Sequence, residues 1–207
     1  MKIQLEELTH NNYHAVRQIR REDVPESFVN TVDTIMRLTD YSVAHGCLGH
    51  TFAVKLDGSY IGLILLGEAI PWPSDPPQMA ERPFYRLMGF VIDKQYRGMG
   101  IGGTVLEQTI ERVYRDFGPR PIALGCHRDN HTAAVFYRKH GFQKTEYLET
   151  EDYYYLRYPE DDPKWRELLA AQAAKPRSEA DAEAPAAPGV PAEPPASADP
   201  ADPGAQS

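Results

Sequence analysis

The stretch Gln95-Tyr96-Arg97-Gly98-Met99-Gly100-Ile101-Gly102-Gly103 lies directly after the apolar run Leu87 to Ile92 and directly before a helical pattern. Glycines at 98, 100, 102 and 103 remove the Cβ atoms that would keep a ligand off the backbone, and they tolerate positive φ. Ile101, Val105, Ile110, Val113 and Phe117 recur at helical spacing, which sets the loop at the positive end of a helix. A strand, an anion-binding loop and a helix in this order demand a fold that mixes helix and sheet. The plainer alternative is a tight strand-to-helix turn that binds nothing.

Gly98, Gly100 and Gly103 satisfy the G-x-G-x-x-G dinucleotide pattern, but a dinucleotide fold also wants a carboxylate roughly 20 residues on, at the end of the next strand. The strand Ile122 to Cys126 ends instead in Cys126-His127. Arg97-Gly98-Met99-Gly100-Ile101-Gly102 resembles the R/Q-x-x-G-x-G/A signature of the GNAT superfamily of N-acetyltransferases, with Gln95 starting a second match in an overlapping register. Downstream, Asn130 to Phe142 is similar to that family's N-x-x-A-x-x-x-Y-x-x-x-G-F element. The resemblance spans about residues 3 to 158 and implies a mixed α/β fold. Its central sheet would have about seven, mostly antiparallel strands, with helices on both faces and a splay between strands four and five. A weaker similarity points to the diamine and polyamine acetyltransferases.

A coarse pass gives β-α-α-β-β-β-α-β-α-β-β. Ile3 to Leu8 reads as a strand and Asn11 to Arg21 as a helix; Ser27 is the expected cap of a second helix carrying Phe28, Val32, Ile35 and Met36 on one face. Thr51 to Leu56 and Tyr60 to Leu66 form a hairpin about Asp57-Gly58. Phe84 to Ile92, Ile122 to Cys126, Phe142 to Leu148 and Tyr153 to Tyr158 supply the other strands. The proline-rich Pro71 to Pro77 is a loop, where Trp72 is a candidate lid or cation-π residue.

The acetyltransferase domain is expected over residues 1 to 159, a short helix capped by Asp162 over 160 to 174, and a tail over 175 to 207. That tail holds eight Pro and ten Ala among its residues, with Val190 as its one branched aliphatic, so it has too little to bury and is expected to be disordered. It carries half of the chain's net charge of −8. An acidic domain excludes a basic nucleic-acid face and would attract a cationic amine. The opening Met1-Lys2-Ile3-Gln4-Leu5-Glu6-Glu7 lacks the apolar core of a signal peptide, and no run is long enough for a membrane span. With Cys47 and Cys126 as its only cysteines, the chain reads as reduced and cytoplasmic. His45-Gly46-Cys47-Leu48-Gly49-His50 has ligand spacing but no second pair nearby, and no metal is expected.

The resemblance implies acetyl-CoA as co-substrate, with the backbone of Phe90, Val91 and Ile92 holding its pantetheine arm. The amides from Gly98 through Met99, Gly100, Ile101 and Gly102 to Gly103 would take the pyrophosphate, beside the charge of Arg97. Asn130 would cap the following helix and bond the coenzyme, and Tyr137 matches the family's general acid. Where related polyamine enzymes carry a carboxylate on the fourth strand, this chain has Met88 and Gly89. Glu68, His127 acting through water, or a water chain alone stands in for the base. Glu22, Asp23 and Glu26, with Glu149, Glu151 and Asp152, would give an acidic acceptor wall suited to a polyamine; an aminoglycoside, amino acid or protein amine stays open. So do a homodimer and a binding module that has lost catalysis.

Overall fold

The computed structural model describes residues 2–173. The expected disordered tail lies outside the described residues. Seven strands form one sheet in the order β1-β2-β3-β4-β5-β7-β6: β1 (Ile3–Glu7), β2 (Gly49–Leu56), β3 (Ser59–Glu68), β4 (Tyr85–Ile92), β5 (Ile122–His127), β6 (Gln143–Glu149) and β7 (Asp152–Arg157). All neighbours run antiparallel except β4 and β5. The expected mixed sheet is thus the observed one.

Alternation along β2 and β3 sends side chains to two separate cores, as a sheet covered on both faces requires. Ala53, Leu63 and Leu65 pack with Val16 of α1 (Tyr13–Val16) and with Val32, Ile35 and Met36 of α2 (Val32–Ala44). Phe52, Val54, Ile64 and Leu66 face the other way, onto Ile101, Val105, Leu106 and Ile110. After a single turn, α3 (Gln78–Glu81), those last four come from α4 (Ile101–Phe117), which Gly118 ends at φ +85. The helices α5 (His131–Lys139) and α6 (Pro163–Ala173) complete that side, and Trp165 of α6 meets Tyr114 edge-on.

Both N-terminal helices are shorter than their periodicity suggests. The first is one turn followed by bends to Ile19, which is still buried. The second starts at Val32, because Thr31 rather than Ser27 accepts the cap bond, from the Thr34 amide at 3.1 Å. Residues 17 to 31 are thereby free to cross the end of β4 as a loop. Asp162 does cap its helix, accepting from the Lys164 amide.

Two irregularities of β4 create the cleft. Opposite β3 the register jumps from Leu63↔Val91 to Leu65↔Met88, so Gly89 and Phe90 bulge against Ile64 alone. Gly89 sits at φ +60, and a Cβ there would lie 2.4 Å from Cδ1 of Ile35. On its other edge β4 pairs with β5 only at Tyr85↔Ile122 and Arg86↔Ala123. Beyond Arg86 the two strands part, leaving the β4 edge without a strand partner on that side.

Candidate functional site

The splay opens into a cleft of about 240 Å³. Its walls are Met88, Gly89 and Phe90 of β4, Gly125 of β5, Tyr137 of α5, residues 26 to 30 of the loop before α2, Trp72, and the β6–β7 hairpin with Glu149, Asp152 and Tyr154. Gly89 and Phe90, the two residues without a one-to-one partner on β3, both line this space.

Next to the splay, Gly98 and Gly100 take φ +75 and +77, with nothing within 4 Å of where a Cβ would stand. The loop is therefore both open and left-handed, a conformation that glycine adopts without strain. Thr104 is the first residue of α4 whose amide reaches a backbone acceptor, Gly100 O. The first-turn amides of Ile101, Gly102 and Gly103 point out of the helix, as at any helix start, and form an anion cradle. These features fit a pyrophosphate. Gly103 has a different reason to lack a side chain, since a Cβ there would lie 2.8 Å from the His140 ring, whereas a Cβ at Gly102 would make only ordinary contact with the Phe136 ring at 3.6 Å. Gly103 thus lets α4 pack closely on His140 at the end of α5, a role beside the expected one of clearing space for a ligand.

Arg97 is less free than its sequence position suggests. Its Nε donates to Ile92 O at 2.7 Å and its Nη1 to Asp23 Oδ2 at 2.8 Å. Asp93 holds the same segment from below, accepting from the Arg20 amide at 2.8 Å. Together they fasten the loop before α2 across the end of β4. Asn130 caps α5 by accepting from the Ala133 amide at 3.1 Å.

Tyr137 is half-buried between Phe136 and Phe142, both packed edge-on to it, and it lines the cleft. Among the described residues its hydroxyl forms no hydrogen bond. Burial, reinforced by the Cys126 thiol, pushes its pKa well above the ordinary phenol range, so it stays protonated at neutral pH.

Neither side chain expected to act as base is placed to do so. Glu68 pairs with Tyr85, at the closed end of the splay, outside the cleft lining. Its carboxylate accepts from Leu48 N and Arg120 Nη1, both at 3.2 Å. His127 is buried with both nitrogens engaged: Nδ1 accepts from the Asp129 amide at 3.2 Å and Nε2 lies 3.1 Å from Glu151.

The acidic acceptor wall is only partly realised. Glu22 and Asp23 turn toward Lys94 and Arg97, and Glu151 toward His127 and Arg128, while Glu26, Glu149 and Asp152 line the cleft. A buried network, invisible in the sequence, supports this side. Arg86 lies 3.9 Å over the Trp72 ring and donates to both oxygens of Asp75, and Tyr154 bridges Asp75 at 3.0 Å and Glu149 at 2.7 Å. Trp72 is thus the partner of an internal cation. Its signal was a paired charge, Asp75 and Arg86, but nothing in the spacing links them.

The candidate metal ligands diverge. His45 stacks on Tyr41, and His50 bridges Glu7 and Asp116 at 2.8 and 2.9 Å. Among the described residues no three such groups converge, and no helix is long and apolar enough to cross a membrane.

The acetyltransferase (GNAT) family model matches residues 13–142. A search of curated protein sequences finds no match. Among solved structures, the chain is similar to the PaiA N-acetyltransferase of Thermoplasma acidophilum, solved in complex with coenzyme A. The TM-score is 0.55 and the identity 17%, over 76% of this chain and 99% of that one. A ribosomal-protein-alanine N-acetyltransferase from Brucella melitensis gives 0.54 and 16%, over 76% and 99%. A spermidine N-acetyltransferase chimera of Vibrio cholerae SpeG and hSSAT gives 0.52 and 15%, over 75% and 93%. At such identities these structures speak to the fold alone. The family match covers more than half of the chain, which therefore belongs to the GNAT family of acetyltransferases and uses acetyl-CoA.

Proposed function

We propose that this GNAT acetyltransferase moves the acetyl group of acetyl-CoA directly onto the primary amine of a small cationic molecule, with a polyamine as the preferred acceptor. The observation that carries the reading is the splay itself. It exposes a strand edge, and across it stands a phenol whose hydroxyl has no hydrogen-bond partner among the described residues.

In this reading the β4 backbone from Phe90 through Val91 to Ile92, on the edge that β5 leaves open, holds the pantetheine arm and polarises the thioester carbonyl as a pre-set donor group. The Gly98 to Gly103 amides take the pyrophosphate. Arg97, tied to Ile92 and Asp23, keeps that loop and the acceptor-side loop in register and lends its charge nearby. Asn130 fixes the start of α5, so that Tyr137 meets the departing sulfur and protonates it. The acceptor is cationic because Glu26, Glu149 and Asp152 converge on one cleft with Arg86 as its internal cation, itself neutralised by Asp75. We place the activity in the cytoplasm, in keeping with unpaired Cys47 and Cys126.

Coenzyme A release measured across a panel of diamines, polyamines, amino acids, aminoglycosides and peptides tests this. Turnover greatest with a polyamine is the expected result. A preference for peptide amines would overturn the acceptor assignment, and binding of acetyl-CoA without transfer to any amine would overturn the catalytic one.

A further inference from the structure

Glu68 and His127 are both engaged elsewhere, while the cleft itself holds carboxylates. We propose that Asp152 is the catalytic base, accepting the proton of the acceptor ammonium where the β6–β7 hairpin faces the bulge of β4. This assignment rests on the proposed reading of the cleft as the site of acetyl transfer.

Three observations place it there. Asp152 opens β7 opposite His127 and lines the cleft together with Gly89, Phe90 and Tyr137. Its carboxylate occupies space that a side chain on β5 would fill. A Cβ at Gly125 would stand 3.2 Å from Oδ2 and 3.4 Å from the Asp152 Cβ, so glycine at this otherwise exposed strand position admits the acid. Among the described residues that carboxylate forms no hydrogen bond and no ion pair. Its neighbours are taken: Glu149 by Tyr154 and Ser74, and Glu151 by His127 and Arg128. Glu26, also unpaired, is exposed on a loop and remains a partner for a second positive charge on the acceptor.

Burial raises the pKa of Asp152 and the charges of Glu149 and Glu151 add to the rise, while His127 opposes it. The other titratable or charged groups facing it are Cys126 from β5, Tyr137 from α5, Arg86 from β4 and Glu26 from the loop before α2. A raised carboxylate pKa brings the base closer to the ammonium it must deprotonate.

The protons balance as follows. Asp152 takes one proton from the ammonium and later gives it to solvent. The freed nitrogen lone pair forms the C–N bond, the C–S bond breaks with its electrons on sulfur, and the Tyr137 hydroxyl protonates the sulfur. The second nitrogen proton, lost as the amide forms, restores Tyr137 through water, so one proton is released per turnover.

The test compares wild type with Asp152→Asn, which keeps shape and removes the base. If wild type transfers acetyl to no amine, the reading of the cleft fails and this assignment with it. If wild type is active, Asp152→Asn should lower kcat/KM by about 10²- to 10⁴-fold. It should also abolish the acid limb of the pH profile while acetyl-CoA affinity stays constant. A variant with the wild-type rate and profile overturns the assignment alone. A second readout needs no turnover. In wild type, the carboxyl resonance of Asp152 should titrate above the usual aspartate range, and its midpoint should fall when the accepted amine is added. A midpoint unmoved by amine overturns the proposal even where Asp152→Asn fails to fold.

Discussion

On its β4 side the cleft presents main chain, a bulge and a strand edge that β5 leaves open, and the first amides of α4 lie next to it. On the hairpin side it presents side chains, drawn from the loop before α2, the proline-rich loop and β6–β7, the last two tied together by one charge network. The first side is pre-set by peptide geometry, so its side chains can vary while its left-handed glycines, Gly89, Gly98 and Gly100, cannot. The second depends on which carboxylate finds a partner. Asp75 and Glu149 do, and Asp152 does not.

The sharpest way to break this contrast is Arg86→Met. It strands Asp75 in the interior without its cation, a change that costs about 3 to 5 kcal/mol when one partner of a buried pair is removed. Thermal melts should fall by about 10 °C for a chain of this size. An unchanged melt would mean that the hairpin side does not hang on the network.

Next in size is Tyr137→Phe. Loss of the hydroxyl should lower turnover by about 10²-fold or more, with acetyl-CoA affinity intact because the ring remains. Steady-state rates at several pH values check it, and wild-type rates with chemistry limiting would reduce Tyr137 to packing.

A pair of glycine variants sharpens the contrast within one loop. Gly100→Val forces a branched residue to φ +77 and fills the open cradle, so acetyl-CoA affinity should drop at least tenfold by calorimetry. Gly103→Ala should instead lower stability, by about 1 to 3 kcal/mol, because its Cβ meets His140. Equal effects of both on affinity would show that the glycines share one purpose.

The smallest effect lies far from the cleft. Hydrogen bonds that His50 donates to Glu7 and Asp116 hold its pKa above the usual 6.5 against the opposing pull of burial. A raised folded-state pKa gives stability that is full below the unfolded value and fades as pH rises through the folded one. His50→Gln should therefore melt a few degrees below wild type near pH 6, reflecting about 1 kcal/mol or less, and the gap should narrow toward pH 8.

Much of the fold was legible because strands and glycine turns are local. The hairpin at Asp57-Gly58, the helix after Gly100 and the cap at Asn130 each follow from a few adjacent residues. The N-terminal helices were misjudged for the opposite reason. Their apolar spacing continues through residues that tertiary contacts hold as a loop, fastened by Arg97 and Asp93. Glu68 looked available by its place at a strand end, and nothing in the sequence brings Arg120 beside it.

Sequence by itself determined the family, the donor and the open glycine turn before α4, because glycines at fixed spacing control φ and helix starts through local sterics alone. Only the tertiary structure decided which acids face the cleft, that Ile35 fills the space a side chain at Gly89 would need, and that Gly125 leaves room for Asp152. Those outcomes depend on side chains far apart in the chain competing for the same space and the same counter-charges, and such competition exists only once the sheet has formed.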